Sequence, residues 1–150
     1  MFVLKLPTIK LHPALSTEQK ALFKLYKNGL QPHFDKAFGW DNAQQWERFN
    51  KHYITENFLW IEQDKRIGAL YLKEEPTLIH LSLLLIDGAF RNAGLGGQIL
   101  QAIIQQSLPK AVELSLVKNN PALKLYKRLG FQITGEDDWF YDMTFNHPTS

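Results

Sequence analysis

Apolar residues recur at helical intervals in the first third of the chain, which predicts two helices after a first strand within residues 1–11. The residues at this spacing are Leu22, Leu25, Tyr26 and Leu30, followed by Trp46, Phe49 and Tyr53. Each helix follows a segment with the spacing of a capping box, at 16–19 and 41–44, where side chains can satisfy the free amides of a helix start. Gly29 is expected to end the first helix.

From residue 58 onward, short apolar runs and alternation predict strands. We expect them at 58–61, 67–72, 77–86, 112–117, 131–134 and 139–145. Two further helices, at about 94–108 and 119–129, lie between the later strands, and Gly130 suits the left-handed position after the last of them. The predicted order is βααβββαβαββ, an α/β fold of the α+β mixed-sheet kind with one strand–helix–strand crossover.

Composition excludes several classes of function. The 150 residues include 17 Lys and Arg, 15 Asp and Glu and no cysteine, and 45% are hydrophobic. We therefore expect a single globular domain over residues 1–150, without disulfides or a cysteine nucleophile. A net charge of +2 without a basic run argues against nucleic acid as a partner. No apolar stretch approaches the ~20 residues that cross a membrane, and the start lacks a signal-peptide pattern, so a cytoplasmic location is expected.

The segment at residues 86–97 carries the candidate chemistry. Here a buried strand leads into a loop and then to a helix N-terminus, where free amides and the helix dipole favour an anion. Gly94, Gly96 and Gly97 permit close approach to the backbone, and Arg91 adds a charged donor. This pattern indicates a site for a phosphate or a pyrophosphate.

Three phosphate loops compete for this segment. A Walker A loop requires Lys and then Ser or Thr, whereas Gln98 follows Gly97. A dinucleotide fingerprint requires a third small residue where Ile99 stands, and Glu113 would be its only acidic partner. The third loop reads Arg/Gln-x-x-Gly-x-Gly/Ala and is matched at every fixed position. On the glycines alone, an ordinary strand-to-helix turn is an equal alternative.

That third loop is typical of the GCN5-related N-acetyltransferase (GNAT) family, which the chain resembles over nearly its whole length. Members continue with a strand and a helix reading Asn-x-x-Ala-x-x-x-Tyr-x-x-x-Gly-Phe. The matching residues are Asn119, Ala122, Tyr126, Gly130 and Phe131. Gly88 departs from the proline that members commonly carry, and residues 34–41 resemble a bacterial subgroup with a Gly-Trp-Asp turn.

The resemblance implies a GNAT fold with a central sheet splayed between the strands at 77–86 and 111–117, and acetyl-CoA as co-substrate. The pantetheine arm would pair with the backbone of residues 84–86, and an amide near Leu85 or Ile86 would stabilise the oxyanion. The implied cofactor-binding residues are Leu84, Leu85, Ile86, Arg91, Asn92, Ala93, Gly94, Leu95, Gly96, Gly97, Asn119 and Tyr126. The five histidines lack metal-site spacing, so no metal is expected.

The implied reaction is direct transfer of the acetyl group to a primary amine in a ternary complex, since there is no cysteine to carry it. Tyr126 matches the family's usual proton donor, with simple packing in the core as the alternative. His80 stands where histone-type members place a catalytic glutamate and is the candidate base, or else a hydrogen-bonded core histidine. Alternation predicts that His80, Ser82, Leu84 and Ile86 share a face. The other candidate bases are Glu56, His33, His52 or a water chain.

Acceptor recognition is expected between the first two helices. Phe34 and Trp40 are the predicted substrate pocket, since aromatic faces suit a cation or an apolar acceptor. The side chains with a more ordinary interpretation are Phe38, Trp46, Asp35, Asp41 and Glu47. The acceptor is a small-molecule amine or a protein amine, and residues 139–145 form either a homodimer edge or an ordinary closing hairpin. A non-catalytic CoA-binding or regulatory module and a nucleotide-binding oxidoreductase are the competing hypotheses.

Overall fold

The computed structural model describes residues 2–91 and 94–148, and within them seven strands and four α-helices follow the predicted order. The strands are β1 (Lys10–Pro13), β2 (Leu59–Gln63), β3 (Lys65–Glu74), β4 (Leu78–Ile86), β5 (Ala111–Val117), β6 (Gln132–Glu136) and β7 (Phe140–Phe145). The helices are α1 (Gln19–Ala37), α2 (Asn42–His52), α3 (Leu95–Ser107) and α4 (Leu123–Leu129). Among these described helices, none combines the length and hydrophobicity that a membrane crossing requires.

The strands form one mixed sheet in the order β1-β2-β3-β4-β5-β7-β6. Neighbouring strands are antiparallel except for β4 and β5, which are parallel. The parallel pairing runs only from Leu78–Ala111 to Leu81–Leu114, and beyond it the two strands part. The predicted splay of the central sheet is therefore confirmed.

Two hydrophobic clusters cover the two faces of the sheet. On one face, α3 buries Ile99, Leu100 and Ile103 against the sheet. On the other face, α1 and α2 pack through a largely aromatic cluster in which Phe58 and Tyr71 meet with ring centroids 4.8 Å apart. This aromatic layer holds both N-terminal helices against that face of the sheet.

A β-bulge interrupts β4 at Ser82. Leu83 pairs with Tyr71 and Leu81 pairs with the next residue of β3, so Ser82 is the extra residue on its strand. The bulge reverses the alternation of side chains along β4. Leu81 packs in the cluster under α3, whereas Leu83, two residues later, packs in the aromatic cluster on the other face. The prediction that His80 shares a face with Leu84 and Ile86 is therefore wrong, since two-residue periodicity holds only along uninterrupted pairing.

The helix boundaries show where tertiary contacts override local signals. Gly29 does not end α1, which runs on to Ala37. Its open side instead faces β4, since a Cβ on Gly29 would touch the Leu85 side chain at 3.4 Å, an ordinary contact distance. The first strand begins at Lys10, later than expected. The Asp41 cap of α2 is confirmed, since its Oδ1 accepts the Gln44 amide at 3.0 Å.

The first capping box is displaced by one residue. The Leu15 amide donates to Glu18 Oε1 at 2.8 Å, and the segment from Ser16 to Glu18 forms a 3₁₀ turn ahead of α1. The carboxylate at 18, rather than the hydroxyl at 16, therefore satisfies the free donor.

Gly68 gives a test of the contact between β3 and the end of β4. A Cβ at this position would overlap the backbone carbonyl oxygen of Leu85, which has no freedom to move aside. We expect Gly68→Ala to lower the free energy of unfolding by about 3 kcal/mol, because overpacking forces the backbone to shift. The measurement is urea unfolding of both proteins.

Gly88→Ala is the matched control, because a Cβ there meets no atom within 4 Å. Its effect on the free energy of unfolding should stay within about 0.5 kcal/mol. Equal effects of the two substitutions would show that the close approach of β3 to β4 does not constrain the strand.

Candidate functional site

The second half of β4 presents an edge without a strand partner. The Asp87 amide donates to the Ile67 carbonyl at 2.8 Å, which fixes the hydrogen-bonding pattern between β3 and β4. By the alternation of an antiparallel ladder, the Leu85 amide faces β3, whereas the backbone groups of Leu84 and Ile86 face the gap toward β5. Of the two residues predicted to supply an oxyanion donor, Ile86 is therefore the one whose amide points into the gap.

A cavity of about 270 Å³ lies where β4 and β5 separate. The two strands contribute Ser82 to Leu85 on one side and Ser115 to Val117 on the other, and α4 contributes Tyr126. The remaining lining residues are Tyr26, Leu30, Phe34, Phe38, Gln45, Arg48, Tyr53, Asn120 and Phe140. We call this the inner cavity.

The start of α3 lies at the end of β4 and leaves room above its first turn. Gly94, the residue before the helix, has φ +78°, a left-handed conformation that other residues adopt only with strain. A Cβ on Gly94 or Gly96 would meet no atom of the described residues within 4 Å, whereas one on Gly97 would approach Leu125 of α4 at 4.0 Å. Open space over free helix amides fits an anionic group. Asn92 and Ala93, also predicted to bind the cofactor, lie outside the described residues.

Arg91 joins the loop to two neighbouring elements. Its Nε donates to the Ile86 carbonyl at 3.0 Å, and its Nη2 donates to the Asn28 carbonyl of α1 at 3.4 Å. The guanidinium therefore holds the end of β4 and the loop against α1, close to Gly29. This tether was not predicted from the sequence, although a mid-helix glycine is a signal of close packing.

Tyr126 lines the inner cavity from α4 and packs edge-on against Phe131, with ring centroids 5.8 Å apart. Burial raises the pKa of its phenol to about 12. The hydroxyl consequently keeps its proton at neutral pH and can act as a donor.

The two asparagines before α4 have different positions. Asn119 donates from Nδ2 to the His33 carbonyl at 3.0 Å and so attaches this loop to α1. Asn120 accepts the Ala122 amide at 2.9 Å and lines the inner cavity. The predicted ligand Asn119 is thus engaged in a contact between elements, while its neighbour faces the cavity.

His80 lies in the part of β4 that is still paired with β5. Its Nδ1 is 3.5 Å from Glu113 Oε1, and it is not among the described residues that line the inner cavity. Of the other candidate bases, Glu56 and His52 are exposed, and burial lowers the pKa of His33. In the described part of the chain, no group of three or more His, Asp or Glu side chains is arranged to hold a metal ion.

The predicted acceptor residues come together at the outer end of the inner cavity. Phe34 lines that cavity, and Trp40 lines an adjoining outer cavity of about 400 Å³, with their ring centroids 5.8 Å apart. Phe38, Gln45 and Arg48 line both cavities, which therefore lie side by side. By contrast, Trp46 packs against Phe23 in the aromatic cluster, at 5.0 Å between centroids.

Sequence reasoning missed two lining residues of α2. Gln45 is buried although it is polar, and Arg48 lies one turn further along the helix. The available signal was spacing, because Gln45 precedes the buried Phe49 by four residues and so shares its face.

Comparison with known proteins identifies the family. A family model described as an acetyltransferase (GNAT) domain matches residues 17–145. The spermine/spermidine N(1)-acetyltransferase of Bacillus subtilis is 38% identical over 66 residues, which cover 41% of this chain and 43% of that protein. The peptidyl-lysine N-acetyltransferase YjaB of Escherichia coli is 28% identical over 94 residues, covering 59% and 58% of the two chains. The chain thus spans about half the length of the curated relatives it matches.

Solved structures agree on the fold. The PaiA N-acetyltransferase of Thermoplasma acidophilum, crystallised in complex with coenzyme A, is 15% identical and superposes with a TM-score of 0.73 over 94% of this chain and 100% of its own. That likeness supports the mixed α/β fold, and the family model extends over most of the chain. The protein therefore belongs to the GNAT acetyltransferase family.

Proposed function

We propose that the protein is an acetyl-CoA-dependent N-acetyltransferase that transfers the acetyl group directly to a primary amine, with residues 1–150 acting as a single domain. The observation that carries the proposal is the parting of β4 and β5 after Leu81–Leu114, beside the glycine-rich start of α3. Membership of the GNAT family supports this activity, as do the acetyltransferase names of the relatives.

The residues present fit the coenzyme at two places. The unpaired edge at Leu84 and Ile86 suits an extended amide-bearing arm, which can add to the sheet like a further strand. The open space over Gly94 and Gly96 suits a diphosphate on free helix amides. When bound, acetyl-CoA supplies a thioester, the activated form of the acetyl group. Arg91 holds the loop between these two places.

Three groups of this chain have proposed roles in the proton and charge changes. Tyr126 holds a proton at neutral pH and would donate it to the departing sulfur. The Ile86 amide faces the gap and would stabilise negative charge on the carbonyl oxygen. His80 would accept the amine proton through water, since it lies outside the lining of the inner cavity. The absence of cysteine supports direct transfer.

The anion site is tested by adding a carboxylate to the first turn of α3. Gly96→Glu places a negative charge in the open space above the helix, where it should weaken coenzyme A binding about tenfold or more by repulsion and occlusion. Stability should be retained, since an acidic residue in a first turn is favourable. Isothermal titration calorimetry with coenzyme A measures the affinity, and thermal unfolding measures the stability.

Gln98→Glu is the matched control for charge. It adds the same carboxylate to the same helix at an exposed position about half a turn away. Its affinity should fall less than about threefold. Equal losses in the two variants, or none in either, would contradict a phosphate site over Gly96.

The proposed acid is tested with Tyr126→Phe. Removing the hydroxyl while keeping the ring should lower kcat about 100-fold and leave coenzyme A affinity nearly unchanged, because the proton is needed only in the chemical step. The measurement is release of free CoA in steady state, with affinity determined separately. An unchanged kcat would assign Tyr126 to packing alone. A wild-type protein that binds acetyl-CoA but releases no CoA with a broad amine panel would favour a non-catalytic module.

The proposed base is tested through the pH dependence of turnover. His80→Gln removes an imidazole and should change the shape of the pH–kcat profile, with His52→Gln on the exposed end of α2 as a control that leaves the shape intact. A profile that is unaltered by His80→Gln would return this residue to a structural role beside Glu113.

A further inference from the structure

The part of the inner cavity that is lined by α1 and α2, which we call its acceptor side, carries a positive charge and no negative charge among the described residues. Among the described residues that line it, Arg48 of α2 is the only charged side chain. Arg48 also lines the outer cavity, where the only described carboxylate is Asp41, which already accepts the Gln44 amide as the helix cap. The guanidinium has no ion pair or hydrogen bond within the part of the chain that the structure describes. It is therefore available to an anionic group of a ligand.

The polar groups around Arg48 are also suited to an anion. Gln45 is buried and uses its Oε1 to accept the Tyr26 hydroxyl at 3.4 Å, which leaves its amide nitrogen as a donor. Burial raises the pKa of Tyr26 and of Tyr53, and the nearby charge of Arg48 acts in the opposite direction on both. Both phenols keep their protons at neutral pH, but the Tyr26 proton is already donated to Gln45. The Gln45 amide nitrogen and the Tyr53 hydroxyl are therefore the donors in the same lining that remain for a carboxylate.

The rest of the acceptor side is aromatic. Phe34, Phe38 and Phe140 line the same cavity, and Phe34 contacts Phe140 edge-on with centroids 6.0 Å apart. Such a surface favours an apolar or aromatic group on the acceptor. A polyamine would instead bring a second ammonium close to the Arg48 guanidinium, and the described lining of the inner cavity holds no carboxylate to balance it. Like charges at short range are unfavourable.

We infer that Arg48 determines acceptor specificity by pairing with a carboxylate on the acceptor. The preferred acceptor is then a small amine that carries a carboxylate and an apolar or aromatic group, the chemistry of an amino acid, rather than a polyamine or a lysine side chain. In this transfer a bond forms between the amine nitrogen and the acetyl carbon, the carbon–sulfur bond breaks, the amine loses a proton and the sulfur gains one. The carboxylate is unchanged and serves only for recognition. The inference rests on the proposed acetyltransferase function.

The test compares three acceptors of matched shape, L-phenylalanine, L-phenylalaninamide and phenylethylamine, together with spermidine. The readout is kcat/KM from CoA release. We expect the acid to exceed the amide by about tenfold, as for a charge-assisted pair. The amino group of phenylalaninamide is less basic than that of phenylalanine, so more of it is unprotonated at neutral pH. This difference alone would make the amide the better acceptor.

Variants of α2 then connect this preference to one side chain. Arg48→Gln should lower the acid-to-amide ratio about tenfold, and Arg48→Lys should restore part of it, because lysine keeps the charge but not the forked donor geometry. Lys51→Gln removes the same charge from an exposed position of the same helix, outside both cavities, and should leave the ratio unchanged.

Several outcomes would overturn the inference while the proposed function stands. These are an acid and an amide that react equally, an Arg48→Gln variant that slows both equally, and spermidine as the best acceptor.

Calorimetry of L-phenylalanine with the CoA-loaded protein supplies a readout that needs no turnover. Binding that weakens about tenfold in Arg48→Gln supports the inference, and no binding to the wild-type protein overturns it. Failure of every amine in a broad panel would instead count against the proposed function.

Discussion

Strand β4 pairs with β5 only as far as Leu81, and its second half is therefore a free edge inside the sheet. Backbone amides and carbonyls in a sheet require partners, and the separation of β5 after Leu114 leaves the backbone groups of Leu84 and the amide of Ile86 to water or to a ligand. The edge is kept in place by its surroundings, because Gly68 lets β3 approach Leu85 closely and Arg91 binds the Ile86 carbonyl. An ordered but unsatisfied strand edge is a site prepared for an extended ligand.

The two sides of the cleft have different physical characters. The side proposed for the coenzyme consists of backbone, glycine and a helix start, which could recognise a phosphate and an extended arm without a large contribution from side chains. The acceptor side consists of aromatic rings around Gln45 and Arg48. Membership of the family supports a coenzyme at the first of these sides. It does not identify the acceptor, because the side chains that bind an acceptor differ between proteins of one fold. The charge of Arg48 is therefore more informative about the acceptor than the fold is.

Most of the architecture could be predicted from the sequence, because it depends on local patterns. The order of elements, the Asp41 cap and the left-handed glycine at 130, with φ +106°, follow from periodicity and turn chemistry. Features that depend on contacts between distant residues could not be predicted. Gly29 looks like a helix end until Leu85 is packed against it, and the bulge at Ser82 becomes visible only once β3 is paired with β4. The bulge in turn separates His80 from the face on which periodicity had placed it.

A crystal structure of the protein with coenzyme A would test the proposed site directly. We expect the pantetheine arm along the backbone of Leu84 and Ile86, between β4 and β5, with the diphosphate over Gly94 and Gly96 at the start of α3. Coenzyme bound with its phosphates elsewhere, or with β4 and β5 closed against each other along their full length, would contradict it.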